Sequence, residues 1–246
     1  MVSDEAISVR QRRVQQIGAQ LEGNVQSVIN SILNAKDIYA HKPSEINRMA
    51  RTDDQLRGLL VYCMMPLPHP CGGDFQLQLP DTDLIVALRQ VLSNGLHEWK
   101  PLTIVSCKAS FHARETEATF WSRLNRERSV RNVLVTEDSD RYQPRGPKTE
   151  LKSCGPRATK TRRLLEAYMD RVYIIKKYSV AGYDLAQDIG RFRPLFQRAE
   201  AQHYTGIGSH IFDDPERRPH AEYCSRVRPF DDLLFDLMRW KYEALG

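Results

Sequence analysis

Two acids and a lysine stand where chemistry could be done. Pro80-Asp81 enters a run rich in β-branched residues, PDTDLIVAL, and after a polar turn a second run, LTIVSCKAS, carries Lys108 at its end. If the two runs pair as neighbouring strands, Asp81 or Asp83 can meet Lys108 at one end of a sheet. A carboxylate and an ammonium held together there are the usual starting point of Mg²⁺-dependent phosphodiester hydrolysis. The acid holds the metal, and the lysine steadies or helps deprotonate the attacking water. Asp83 lies two residues beyond Asp81, so in a strand both point to one face and could approach one ion. Ser106 and Lys108 likewise share a face, with Cys107 on the other. An aspartate after proline is also an ordinary turn, and a lysine at a strand end an ordinary solvent-facing cap, so what surrounds the pair matters.

The elements that must position these residues can be read from periodicity. Residues 4–36 predict a helix, with Val9, Val14, Ile17, Leu21, Val25, Val28, Ile29 and Leu33 at three- and four-residue steps and Gly23-Asn24 as a place where it could break. A second helical segment is expected from Pro43-Ser44, with Ser44 as its N-cap and Ile46, Met49, Leu56, Leu59 and Leu60 as its apolar residues. MMPLPHPCGG (64–73) reads as a loop. Strands are expected at Phe75–Leu79, Thr82–Leu88, Leu102–Cys107, Asn132–Thr136 and Arg171–Lys177, with a turn at Ser93-Asn94-Gly95. Helices are expected at 114–127, Thr159–Met169 and Pro229–Ala244, and a loop at 141–158. Strands alternating with helices imply an α/β domain with a mixed sheet.

The order of these elements, with the phrases LTIVSCKASFHARETEATFWSRL, VRNVLVTEDSD and LLEAYMDRVYIIKKY, resembles the type II restriction endonucleases of the PD-(D/E)XK nuclease superfamily over residues 80–178. The resemblance implies a restriction-endonuclease-like core, a mixed β-sheet flanked by helices, here preceded by an N-terminal helical region. It implies that Asp81 holds the metal, with Asp83 beside it, and that Lys108 orients the water. The family pattern calls for an acid at position 106, and here stands Ser106. Some enzymes of the family have serine there and draw the carboxylate from the following helix. Its candidates are Glu117 and Glu115. Glu117 falls within the apolar stripe Ala113, Phe120, Trp121 and Leu124 and is favoured, because an acid on a core-facing stripe needs a partner such as a metal or Lys108. Glu115 lines up with Thr119, Ser122 and Arg126. Glu117 could instead pair with a neighbouring arginine.

Charge points the same way. Net charge is +5, and from Arg141 to Lys177 eleven Lys/Arg stand against three acids, a local surplus of eight. Such a footprint suits a polyanion. Arg145, Lys148, Arg157, Lys160, Arg162 and Arg163, with Arg191 and Arg193, are the candidate DNA-binding residues, able to contact guanine or phosphate. Glu150-x-Lys152 spells the acid-x-lysine motif literally, but it sits among Pro144, Pro147, Pro156, Gly146 and Gly155, in a segment that offers no rigid strand.

Other classes fit less well. Cys63, His69 and Cys71 lack the second close pair that a zinc site needs. There is no P-loop and no GxGxxG. Five scattered cysteines, no membrane-length apolar run and a polar, acid-containing start suggest a cytoplasmic protein with reduced thiols.

The expectation is therefore a Mg²⁺-dependent, sequence-specific double-stranded DNA endonuclease of the type II restriction kind, hydrolysing phosphodiester bonds to leave 5′-phosphates. Residues 1–73 would form a helical region for dimerisation or DNA clamping, 74–178 the nuclease core, and 179–246 a C-terminal annex and helix for recognition or dimer contacts. A homodimer suits a palindromic site, and the resemblance implies a companion methyltransferase. A repair or defence nuclease acting on structured or modified DNA, and a non-catalytic nucleic-acid-binding protein, are the alternatives.

Overall fold

The computed structural model describes residues 4–68, 72–80, 82–108, 115–125, 130–137, 159–175, 226–230 and 232–245, excepting the side chains of 4–14, 115–117, 137, 228 and 229. Helix α1 (Asp4–Leu33) runs through Gly23 without a break. Leu21, Val25, Val28, Ile29 and Ile32 form one buried stripe on both sides of it, and that packing outweighs the roughly 1 kcal/mol that a helical glycine costs. A 3-10 turn (Asn34–Lys36) and Asp37, at φ 61°, lead into β1 (Ile38–His41), a strand that periodicity did not reveal.

The helical segment expected from residue 43 is two helices, α2 (Pro43–Met49) and α3 (Asp54–Cys63). Asp53 starts the second by accepting the Gln55 and Leu56 N–H groups. The first is capped at Lys42, with Pro43 as its first helical residue, rather than at Ser44. Part of the stretch read as a loop is strand: β2 (Met65–Pro68) pairs antiparallel with β3 (Phe75–Gln78) in a separate two-stranded sheet. Two strands with open edges can hold Pro66 and Pro68, which a central strand could not.

The main sheet contains β4 (Leu84–Val91), β5 (His97–Lys108), β6 (Asn132–Glu137), β7 (Arg171–Ile175) and β8 (Val227–Pro229), with β1 at its edge, in the order β1-β4-β5-β6-β7-β8. The β1-β4-β5 pairs are antiparallel and β5 through β8 are parallel, so the sheet is mixed. It takes β1 from before residue 74 and β8 from after 178. Pro101, opposite Ala87, lies where the β4–β5 register shifts, a bulge that absorbs its missing N–H.

Strand alternation divides the core between two faces. Leu84, Val86, Val105, Cys107, Val135 and Tyr173 pack against α1 and α6 (Asp232–Leu245). On the opposite face, Ile85, Ala87 and Ile104 pack against α2 and α3. Further along it, Leu134, Val172 and Ile174 pack with Ala118 of α4 (Glu115–Asn125) and Leu165 of α5 (Lys160–Tyr168). Helix α6 is tied down by Asp236, which accepts the buried Tyr173 hydroxyl at 2.6 Å and pairs with Arg171 and Arg239.

The outer edge of β1 is covered. The Asn30 side chain accepts the Ala40 N–H (2.8 Å) and donates to the Ala40 carbonyl (3.0 Å), taking both outward backbone groups as a neighbouring strand would. No described helix is long and apolar enough to cross a membrane.

Candidate active site

Strands β4 and β5 pair antiparallel, so the start of β4 and the end of β5 lie together. Asp83, just before β4, is fixed there by its backbone N–H, which donates to the Val105 carbonyl at 3.0 Å. Its Oδ2 accepts the Cys107 N–H at 2.6 Å and stands 3.5 Å from Lys108 Nζ. Lys108 is 5% exposed. An ammonium that deep needs a counter-charge, and Asp83 supplies it. Alternation places Lys108 and Ser106 on the face opposite Cys107; Ser106 is also buried.

A second acid, Glu22 of α1, is near enough to feel the charges of this pair and was not found by reading the sequence. Burial raises the Glu22 carboxyl above its ordinary value, and the charge of Asp83 raises it further; Lys42 and Lys108 pull it down. Glu22 Oε2 lies 3.4 Å from Lys42 Nζ. The same four charges act on Cys107, whose thiol is pushed well above the usual range, first by burial and then by Asp83 and Glu22. Its side chain packs on the core side, among Val105, Val135 and Leu84.

Helix α4 turns a different face inward from the one expected. Ala118, Thr119, Ser122 and Asn125 are buried, while Phe120 is 54% exposed and stacks edge-on against Trp121. The polar residues can be buried because they are partnered. Ser122 Oγ donates to the Tyr168 carbonyl at 2.6 Å, and Asn125 Nδ2 to Asn132 Oδ1 at 2.9 Å. The helical repeat therefore puts position 115 in line with the buried 118, 119 and 122, and position 117 in line with 120, 121 and 124. Of the stripe that favoured Glu117, Phe120 faces outward while Trp121 and Leu124 are partly buried.

Asp81 lies outside the described residues, as do His69, Cys71, Arg145, Lys148, the Glu150–Lys152 motif, Arg157, Arg191 and Arg193. Of the basic candidates that are described, Lys160 and Arg163 are exposed on α5. Arg162 is 2% exposed and paired with Glu166 at 3.1 Å, so its guanidinium is spent inside the fold rather than offered to a polyanion.

The donor set suits a hard divalent cation. It offers carboxylate oxygens from Glu22 and Asp83; next in the chain to Asp83, the buried Thr82 Oγ1 has no hydrogen-bond partner among the described residues. Among those residues no group of three or more His, Cys, Asp or Glu is gathered for a metal. Further oxygens would have to come from Asp81 or from the α4 acids.

Comparison with known proteins gives one family. Its model, described as "BsaWI restriction endonuclease type 2", matches residues 54–198, more than half of the chain. Two solved structures are similar. One is a pre-specific complex of restriction endonuclease BsaWI with DNA (14% identity, TM-score 0.43, 71% of this chain and 57% of that one). The other is a specific complex of restriction endonuclease AgeI with DNA (15% identity, TM-score 0.45, 70% of this chain and 61% of that one). The chain thus spans about three fifths of the length of each. No curated protein matches it.

Proposed function

The chain belongs to the BsaWI family of type 2 restriction endonucleases, and from that membership we propose that it is a Mg²⁺-dependent, site-specific double-stranded DNA endonuclease that leaves 5′-phosphates. The observation that carries the reading to particular residues is the Asp83–Lys108 pair at the shared end of β4 and β5, whose charges also act on Glu22.

Asp83 and Glu22 would hold the ion, joined by Asp81 and an acid of α4. Once bound, Mg²⁺ supplies a Lewis acid that lowers the pKa of water and neutralises charge growing on the phosphate. The remaining work falls to the chain. Lys108, paired with Asp83 at 3.5 Å, has ammonium protons to donate, so it can orient the attacking water or a non-bridging phosphate oxygen. Asp83 is itself fixed by two backbone hydrogen bonds, which holds the ammonium in a set position. Exposed Lys160 and Arg163, with the basic residues of 141–158 and Arg191 and Arg193, would supply phosphate and base contacts. A palindromic target is read most economically by a homodimer, and a methyltransferase of the same specificity would protect the host's own copies of the site.

The test is cleavage of unmethylated phage DNA with Mg²⁺ or with EDTA, followed by religation. Discrete Mg²⁺-dependent fragments that a ligase rejoins without prior phosphorylation are expected. A smear would move the protein to the repair or defence nucleases. Intact DNA retarded on a gel would make it a binding protein.

A further inference from the structure

Three polar side chains stand at four-residue steps on α1, beside its buried stripe: Glu22, Gln26 and Asn30. All three engage the corner where β1 turns into α2. Asn30 holds both backbone groups of Ala40. Gln26 Nε2 donates to the Ala40 carbonyl (3.1 Å) and to Glu45 Oε2 (2.6 Å). Glu45 Oε2 also accepts the Lys42 N–H at 2.9 Å, and the Lys42 carbonyl accepts the Glu45 and Ile46 N–H groups. The main chain of Lys42 is therefore fixed on both sides. Its side chain leaves this corner and meets Glu22 Oε2 at 3.4 Å, with both residues half-buried.

We propose that Lys42 is a positioning residue for metal binding: its ammonium secures one oxygen of Glu22 so that the other is presented to the ion. This rests on the reading of Glu22 and Asp83 as metal ligands. Stability alone does not account for the arrangement, because a partly exposed ion pair contributes little to it. Geometry does. Glutamate has several rotatable bonds, and ordering so long a side chain costs conformational entropy. The charge of Asp83 also disfavours an ionised Glu22. Each acid here has its own ammonium, Lys108 for Asp83 and Lys42 for Glu22, so the pair is assembled before an ion arrives. Lys42 does not touch the reacting atoms in this scheme and acts only through Glu22.

The test is Mg²⁺ binding to the full chain without DNA, by calorimetry, alongside cleavage rates against Mg²⁺ concentration. Lys42→Met should weaken Mg²⁺ binding by about 10–100-fold, the usual effect of losing a partner that orients a ligand. Its cleavage should recover as Mg²⁺ is raised, and Lys42→Arg should restore binding. In a Glu22→Gln background, Lys42→Met should add nothing, since the residue it acts through is already lost. Wild-type or tighter Mg²⁺ binding by Lys42→Met would overturn the proposal, as would a further loss in the Glu22→Gln background. If Lys42→Met does not melt cooperatively, Lys42→Gln takes its place. Asp83→Asn separates the two failures: if it too binds Mg²⁺ as the wild type does, the metal-site reading itself fails.

Discussion

Asp83 Oδ2 lies 3.5 Å from Lys108 Nζ while also accepting the Cys107 N–H, so one carboxylate oxygen ties the entrance of β4 to the exit of β5. The two partners are not equivalent. Lys108 is almost fully buried and Asp83 less so, and losing either leaves a different residue behind.

Removing the acid leaves an ammonium in the interior with less to neutralise it. Asp83→Ala should cost about 1–3 kcal/mol in urea unfolding, the penalty for a buried group deprived of a partner. Lys108→Met should be less destabilising, because Asp83 keeps its backbone N–H partner and the methionine stem fills similar space. Both should lower cleavage by about 10²–10⁴-fold, the range for a side chain that handles the proton of the attacking group. A stable Asp83→Ala that cleaves normally would remove the pair from the site.

The inward face of α4 sets up a second comparison. Position 115 is in helical register with buried Ala118, Thr119 and Ser122, and position 117 with exposed Phe120, so Glu115→Gln is expected to reduce cleavage and Mg²⁺ affinity more than Glu117→Gln. Parallel measurements on the two purified variants decide it. The reverse order would return the role to Glu117.

His41 makes a prediction about pH. Its Nε2 is buried without a hydrogen-bond partner among the described residues, and its ring packs near Tyr39 and Trp99. Burial lowers its pKa, against a smaller opposing pull from Glu45. The folded chain therefore binds this proton less readily than the unfolded chain does. The sign follows: His41 contributes stability above the ordinary imidazole value of about 6.5, and that contribution is lost as pH falls through the range below it. His41→Gln should flatten this part of the stability profile in urea melts taken at successive pH values. An unchanged slope would show that His41 titrates normally.

The Asp83–Lys108 meeting was legible because it needs only a hairpin: two β-branched runs around Ser93-Asn94-Gly95 must place their far ends together. Gly95, at φ 79°, takes the left-handed turn that the tripeptide suggested. Glu22 was not legible. It lies some sixty residues before Asp83, and nothing local marks one glutamate on a long helix. The signal that could have found it is the polar row Glu22, Gln26 and Asn30 at helical spacing beside the apolar stripe, which marks a helix edge that touches something other than solvent. Helix α4 misled for a related reason. Phe120 and Trp121 weigh heavily in any hydrophobic count, whereas Ser122 and Asn125 are buried by hydrogen bonds that only the fold supplies. β1 was missed because four residues, IYAH, are too few to show a period.

The two edges of the main sheet bear on how copies of the chain can associate. At one edge, Asn30 occupies both outward backbone groups of Ala40. At the other, Arg226 and Phe230 bond inward to β7, which leaves Pro229 turned outward on a three-residue strand, with no N–H to give. Polymerisation by strand addition, the route from a stray sheet edge to a fibril, is thus blunted at both margins. If two protomers straddle a palindrome as proposed, they would join through helices or loops, where a surface closed by two-fold symmetry stops at a pair.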